Sequence, residues 1–181
     1  TRRRRSWSST RATSSPSMDI QVSSNFERLL FETCKRDAGK VKALMGSLTQ
    51  SGRFTVPGDA LMEMRALFSA DRADEQESAA TIRAWMREAS YCADPHTAVA
   101  LAVAEKETRD PSVPMVVLST AHPAKFPDAV HAACGVTPAL PDWLSDLPKK
   151  QERFTVLPAD QARIEKFVST ASRAAREGAA V

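Results

Sequence analysis

Cysteine is scarce in this chain of 181 residues, and what there is does not pair. Cys34, Cys92 and Cys134 stand far apart, are odd in number and show no C-x-x-C spacing. That excludes a disulfide framework and a zinc site, leaves no metal site to expect, and suits a reducing cytosol. Long apolar runs are missing too: none approaches the ~20 residues that cross a bilayer. The basic start has no apolar stretch behind it, which excludes a secretory signal; its Arg- and Ser-rich, acid-free composition is also that of an organelle transit peptide. Positive charge is thin outside that start. The net charge is +3, and Arg2 to Arg5 alone contribute four positive charges. The body is therefore slightly acidic, so neither nucleic acid nor a membrane surface is an expected partner. An aromatic-interleaved basic patch, which would suit nucleic acid, is also absent beyond Trp7.

What remains is ordinary for a folded domain, with 43% hydrophobic and 26% charged residues. Residues 1–17 are mostly Arg, Ser and Thr, with a single Trp7 and Pro16, have little to bury, and are expected to be disordered. Met18 is the first methionine, and the composition there becomes that of a folded protein. Ser24-Asn25-Phe26-Glu27 matches a capping box, followed by Phe26, Leu29, Leu30 and Cys34 at helical spacing. Ala60 to Phe68 reads as a second helix. Asp74 to Ser90 reads as a third, with Ile82, Trp85, Met86 and Ala89 on one face. Asp94-Pro95 is a helix start in which Asp caps and Pro takes the first helical position. The Ala- and Val-rich stretch from Thr97 to Lys106 predicts close packing on something flat. Pro127 to Cys134 is helical and stops at Gly135. A Pro-rich connector from Pro138 to Pro148 holds a turn around Trp143, and Pro158 opens a last helix with Ile164, Phe167 and Val168.

Strands are the other shortage. Met115-Val116-Val117-Leu118, between Pro114 and Ser119, is apolar on both faces, as a strand inside a covered parallel sheet would be. Arg153 to Val156 is a weaker second. Two strands rarely make an independent sheet. The fold expected is therefore α/β and helix-rich, with one or two strands of an incomplete sheet. It would be the C-terminal part of a larger enzyme or the product of a truncated reading frame.

Three segments carry a resemblance: "PSMDIQVSSNFERLLFE" (Pro16 to Glu32), "DPHTAVALA" (Asp94 to Ala102) and "VVLSTAHPAKFPDAV" (Val116 to Val130). Together, and in this order, they resemble the C-terminal half of the threonine synthase family, of the long bacterial and fungal type. The resemblance runs from about Pro16 to the end. It implies a fold type II enzyme dependent on pyridoxal 5'-phosphate (PLP) that converts O-phosphohomoserine and water to threonine and phosphate, in the cytoplasm. It implies that Thr120, at the exit of the apolar run, hydrogen-bonds the cofactor's ring nitrogen, with Ser119 supporting the turn or touching the cofactor directly. The family's Schiff-base lysine and its Gly-rich phosphate loop belong to the N-terminal half. No catalytic residue is therefore assigned here, the missing N-terminal half is the implied partner, and the chain is expected to be inactive alone. Residues 1–15 do not resemble the family, which suggests a shifted reading frame or a mis-called start. Residues 18–181 are then the C-terminal part of the domain, and about 55–90 its helical subdomain.

Several side chains have two readings. Thr120 is either a cofactor ligand or the cap of the next helix. His122 orients the loop beside the cofactor or bonds a backbone carbonyl. Asn25 and Arg28, in the first turn of a capped helix, form an anion site for the substrate phosphate or a plain solvated start. Lys125 faces the same anion or only solvent. His96, in a first helical turn where positive charge is disfavoured, reads as a neutral structural residue, and His131 as a surface one. A different class of function stays open as well: a helical binding module whose basic tail engages an acidic partner.

Overall fold

The structure, a computed structural model, describes residues 12–20, 22–108 and 110–174. Most of the expected disordered tail, including Arg2 to Arg5 on which the binding-module reading rests, lies outside the described residues. Within the remainder of that tail, Ser15 is buried and the Thr13 hydroxyl donates to Asp19 Oδ1 at 2.9 Å.

Among the described residues, seven helices order the chain: α1 (Ser24–Thr33), α2 (Ala38–Ser51), α3 (Gly58–Leu67), α4 (Glu75–Ala89), α5 (Pro95–Lys106), α6 (Pro127–Cys134) and α7 (Gln161–Ala171). Local chemistry sets most of their ends. The cap of α1 is Ser23 rather than Ser24, its side chain accepting from Phe26 N–H. Asp74 caps α4 in a full capping box with Glu77. Gly135 ends α6 at φ 74°, a left-handed conformation that costs glycine nothing. The last helix starts at Gln161 behind its cap Asp160, three residues later than Pro158 suggests.

The chain divides into two compact units, one up to Ala139 and one from Leu140. The first holds two apolar clusters. In one, α4 packs on α5 and α6, gathering Ile82, Ala93, Ala98, Leu101 and Ala133. In the other, α1, α2 and α3 bring together Cys34, Val41 and Ala60. The helices of 55–90 are thus split between the clusters. Burying a side chain such as Ile82 or Leu30 stabilises by about 1.5–3 kcal/mol. The buried residues of α4 are Ser78, Thr81 and Ile82, nearer its start than the apolar pattern indicates. The small residues of α5 do pack closely, but their partner is α4 rather than a sheet. The second unit comprises short turns at Asp142–Leu144 and Leu147–Lys149, then a stretch without regular structure and α7.

The α/β expectation is corrected here: no strand forms among the described residues. Residues 115–118 have no regular secondary structure and no strand partner, and neither do 153–156. An apolar run is a local pattern, whereas a strand also needs a neighbouring backbone to complete its ladder, and none is present among the described residues. Val117 turns inward onto the α4–α6 cluster, while Val116 and Leu118 are 77% and 75% exposed. The segment keeps the side-to-side alternation of a strand without its hydrogen bonds.

Candidate functional site

The site is built on the first turn of α5. Asp94 caps this helix and is almost wholly buried, so its two oxygens must find their partners within the protein. Oδ1 accepts from His96 N–H at 2.9 Å and faces His96 Nδ1 at 3.0 Å. Oδ2 accepts from Thr97 N–H at 3.3 Å and from the Thr97 hydroxyl. Four donors thus converge on one carboxyl group.

Both neighbours reach onward. His96 Nε2 accepts from Ser17 N–H at 3.4 Å, so the ring hydrogen belongs on Nδ1, where it points at Asp94. The ring also lies 4.7 Å from that of Phe126. This is the structural role expected of His96. The Thr97 hydroxyl accepts from Thr120 N–H at 3.1 Å. One helix start therefore holds three distant stretches: the segment before α1, the exit of the apolar run, and the entry to α6.

The residues singled out in the sequence fall into two groups. Ser119, Thr120, His122 and Lys125 are exposed and lie along the exit from 115–118. His122 rather than Thr120 is the cap of the following turn, Pro123–Lys125: its Nδ1 accepts from Ala124 N–H at 3.2 Å. Lys125 Nζ lies 6.0 Å from the Phe126 ring centre. Asn25 and Arg28 are exposed on α1, where Arg28 Nη1 donates to Asn25 Oδ1 at 3.3 Å. Arg28 borders an open cleft of about 840 Å³ between α1 and α2, together with Lys42, Glu27 and Glu32. That lining mixes both signs. Among the described residues, no hydrogen bond or ion pair joins Asn25 or Arg28 to the Thr120 group. His131 is exposed, as expected.

Thr97 and the depth of Asp94 were not anticipated as parts of a site. The signal was available: three polar residues open a helix that is otherwise nearly all Ala, Val and Leu. A second, mostly apolar hollow of about 430 Å³ lies beside Thr97 and is lined by Trp85, Tyr91, Leu101, Met115 and Val117.

Residues 97–168, beginning at Thr97 itself, match a family model described as the C-terminal region of threonine synthase. A solved PLP-bound threonine synthase from Brucella melitensis superposes with a TM-score of 0.81 at 52% identity, over 91% of this chain and 35% of that one. The chain belongs to the threonine synthase family. Among curated threonine synthases, that of Pseudomonas aeruginosa is 45% identical over 156 residues, 86% of this chain and 33% of its own length. That of Corynebacterium glutamicum is 34% identical over 167 residues, 91% of this chain and 35% of the relative. The solved yeast threonine synthase superposes with a TM-score of 0.74 at 30% identity, over 90% of this chain and 36% of that one. The chain thus spans about a third of the length of the threonine synthases it matches.

Proposed function

We propose that this chain forms the C-terminal part of a PLP-dependent threonine synthase. The enzyme would turn O-phosphohomoserine and water into threonine and phosphate in the cytoplasm. The observation that carries the reading is the exit of the apolar segment: an exposed Ser-Thr pair whose backbone is fastened to the buried start of α5.

PLP fits the residues present along one edge. Thr120 and Ser119 offer exposed hydroxyls on a tethered backbone, which suits contact with a pyridine nitrogen. The six glycines all stand singly, so the Gly-rich cradle for the cofactor phosphate is not among these residues. When bound, PLP supplies an electron sink for negative charge developing beside the substrate nitrogen. Thr120 would hold the ring nitrogen through a neutral hydroxyl. With no carboxylate there to keep that nitrogen protonated, the sink is a moderate one. Ser119 would support the turn.

Asn25 and Arg28 would receive the substrate phosphate at the start of α1, where unpaired backbone N–H groups and a guanidinium favour an anion. His122 would keep the loop in place through its cap on Pro123–Lys125, with Lys125 adding positive charge nearby. The lysine that carries the cofactor and the phosphate loop would come from the N-terminal part of the enzyme, which is the partner this chain needs. Residues 18–181 would belong to that shared domain, and alone they would not turn over substrate.

The test is a chimera in which this chain replaces the matching third of the Brucella melitensis enzyme. It should release phosphate from O-phosphohomoserine, and the chain alone should not. Thr120→Val in the chimera should alter the cofactor's absorbance and weaken its binding by roughly tenfold at most, the loss of one net hydrogen bond. A folded chimera without turnover refutes the reading. Unchanged absorbance, affinity and turnover would remove Thr120 from the site.

A further inference from the structure

The hydroxyl of Thr97 has a commitment that the proposed chemistry does not require. Thr97 is 2% exposed and sits one turn into α5. Its hydroxyl hydrogen goes to Asp94 Oδ2, and its oxygen takes the N–H of Thr120 at 3.1 Å. A hydroxyl has one hydrogen and two lone pairs. With the hydrogen fixed on the carboxylate, a lone pair is fixed toward the amide. The backbone N–H groups of His96 and Thr97 also donate to Asp94, so the carboxylate cannot swing away. The branched Thr side chain has few rotamers in a helix, which removes the remaining freedom.

We propose that Thr97 is a positioning residue: through the Asp94–Thr97–Thr120 chain of hydrogen bonds, it sets where the apolar segment ends and so where the Ser119 and Thr120 hydroxyls stand. The aim of those hydroxyls at a cofactor rests on the function proposed above; the grip on the Thr120 amide does not. Beside this bond, the described contact of residues 115–120 with the α4–α6 cluster is that of Val117. Packing of one apolar side chain resists removal but tolerates sliding, whereas a hydrogen bond to a fixed acceptor defines a position. Placement to within about an ångström is what a ligand-bearing hydroxyl needs.

Amide hydrogen exchange on the purified chain tests the grip, using the unaltered protein, Thr97→Val and Thr97→Ser. In the unaltered chain the Thr120 amide should exchange more slowly than those of Ser119 and Ala121. Thr97→Val keeps the shape and removes the hydroxyl, so exchange at Thr120 should quicken by roughly two- to tenfold, the equivalent of one net hydrogen bond. Amides within α4 and α6 should keep their rates. Thr97→Ser restores the hydroxyl and should restore the protection. In the chimera, Thr97→Val should shift the cofactor's absorbance in the same sense as Thr120→Val, and Thr97→Ser should not.

Equal exchange at Thr120 and its neighbours in the unaltered chain overturns the proposal, whether or not the valine variant folds. So does a uniform rise across α4 to α6 that serine fails to repair, which is plain loss of stability. If exchange responds as expected but neither variant changes the cofactor's absorbance, the grip stands and the cofactor reading fails.

Discussion

Asp94 and Asp74 play the same role in sequence, each capping a helix, and the structure separates them by burial. Asp74 caps α4 in contact with water, and its loss lets water reach the freed N–H groups. Asp74→Ala should therefore cost about 1 kcal/mol, the usual value of a cap. Asp94 is 1% exposed and receives four donors. Asp94→Ala removes the cap and also strands buried donors, each worth about 1–3 kcal/mol when left without a partner. Neighbouring losses overlap, so the expected total is about 3–5 kcal/mol rather than their sum. Urea unfolding measures both variants. With Trp7 and Trp143 replaced by Phe, Trp85 reports on the α4–α6 cluster it packs against. At a typical slope of about 1–3 kcal/mol per molar, the two midpoints should differ by roughly 1 M or more. Equal midpoints would mean that water reaches the Asp94 site, and the account of a closed network there would be wrong.

Leu30→Ala should cost about 2–5 kcal/mol by the same unfolding assay, since Leu30 is wholly buried in α1 and its loss leaves a cavity. Burial, and then the neighbouring Cys134, push the Cys92 thiol above its ordinary range. At pH 8 Cys92 should react with iodoacetamide more slowly than free cysteine and accelerate as pH rises, followed by mass spectrometry; faster reaction than free cysteine contradicts the assignment. Glu77 is held below the usual carboxylate range by Lys106, 2.7 Å away, and by the Asp74 backbone amide. A lowered folded value gives stability that is present above the unfolded value and lost as pH falls through the folded one. The stability difference between Glu77→Gln and the parent should therefore shrink below roughly pH 4, read from thermal melts across pH.

Helix ends were legible because their signals are local. Asp94-Pro95, the helix start placed at Asp74, and the glycine after Cys134 each act on the turn beside them, and each lies at an observed boundary. The Ser23 cap was placed one residue late because Ser23 and Ser24 are chemically alike. Residues 115–118 were misread as a strand because an apolar run is a local pattern and strand pairing is not. The exposure of Leu67 and Phe68 at the end of α3 was hidden for the same reason, since helical spacing shows a stripe but not what covers it. That Thr120 stands at the end of the apolar run was legible from the change from apolar to polar residues. Its tie to Thr97 was not, because 23 residues lie between them and no pattern in either stretch refers to the other.

Val117 faces inward while Val116 and Leu118 face outward, and this alternation makes the placement of the segment a matter of register. A shift by one residue would turn Val117 toward solvent and bring a neighbour beneath it, and in the same movement draw the Thr120 amide away from Thr97. A shift by two would bring Met115 inward in one direction and the polar Ser119 in the other, and either would leave the wrong amide at the threonine. Packing alone therefore tolerates the Met115 setting, and the hydrogen bond excludes it. A single backbone amide, that of Thr120, thereby indexes the whole segment against α5.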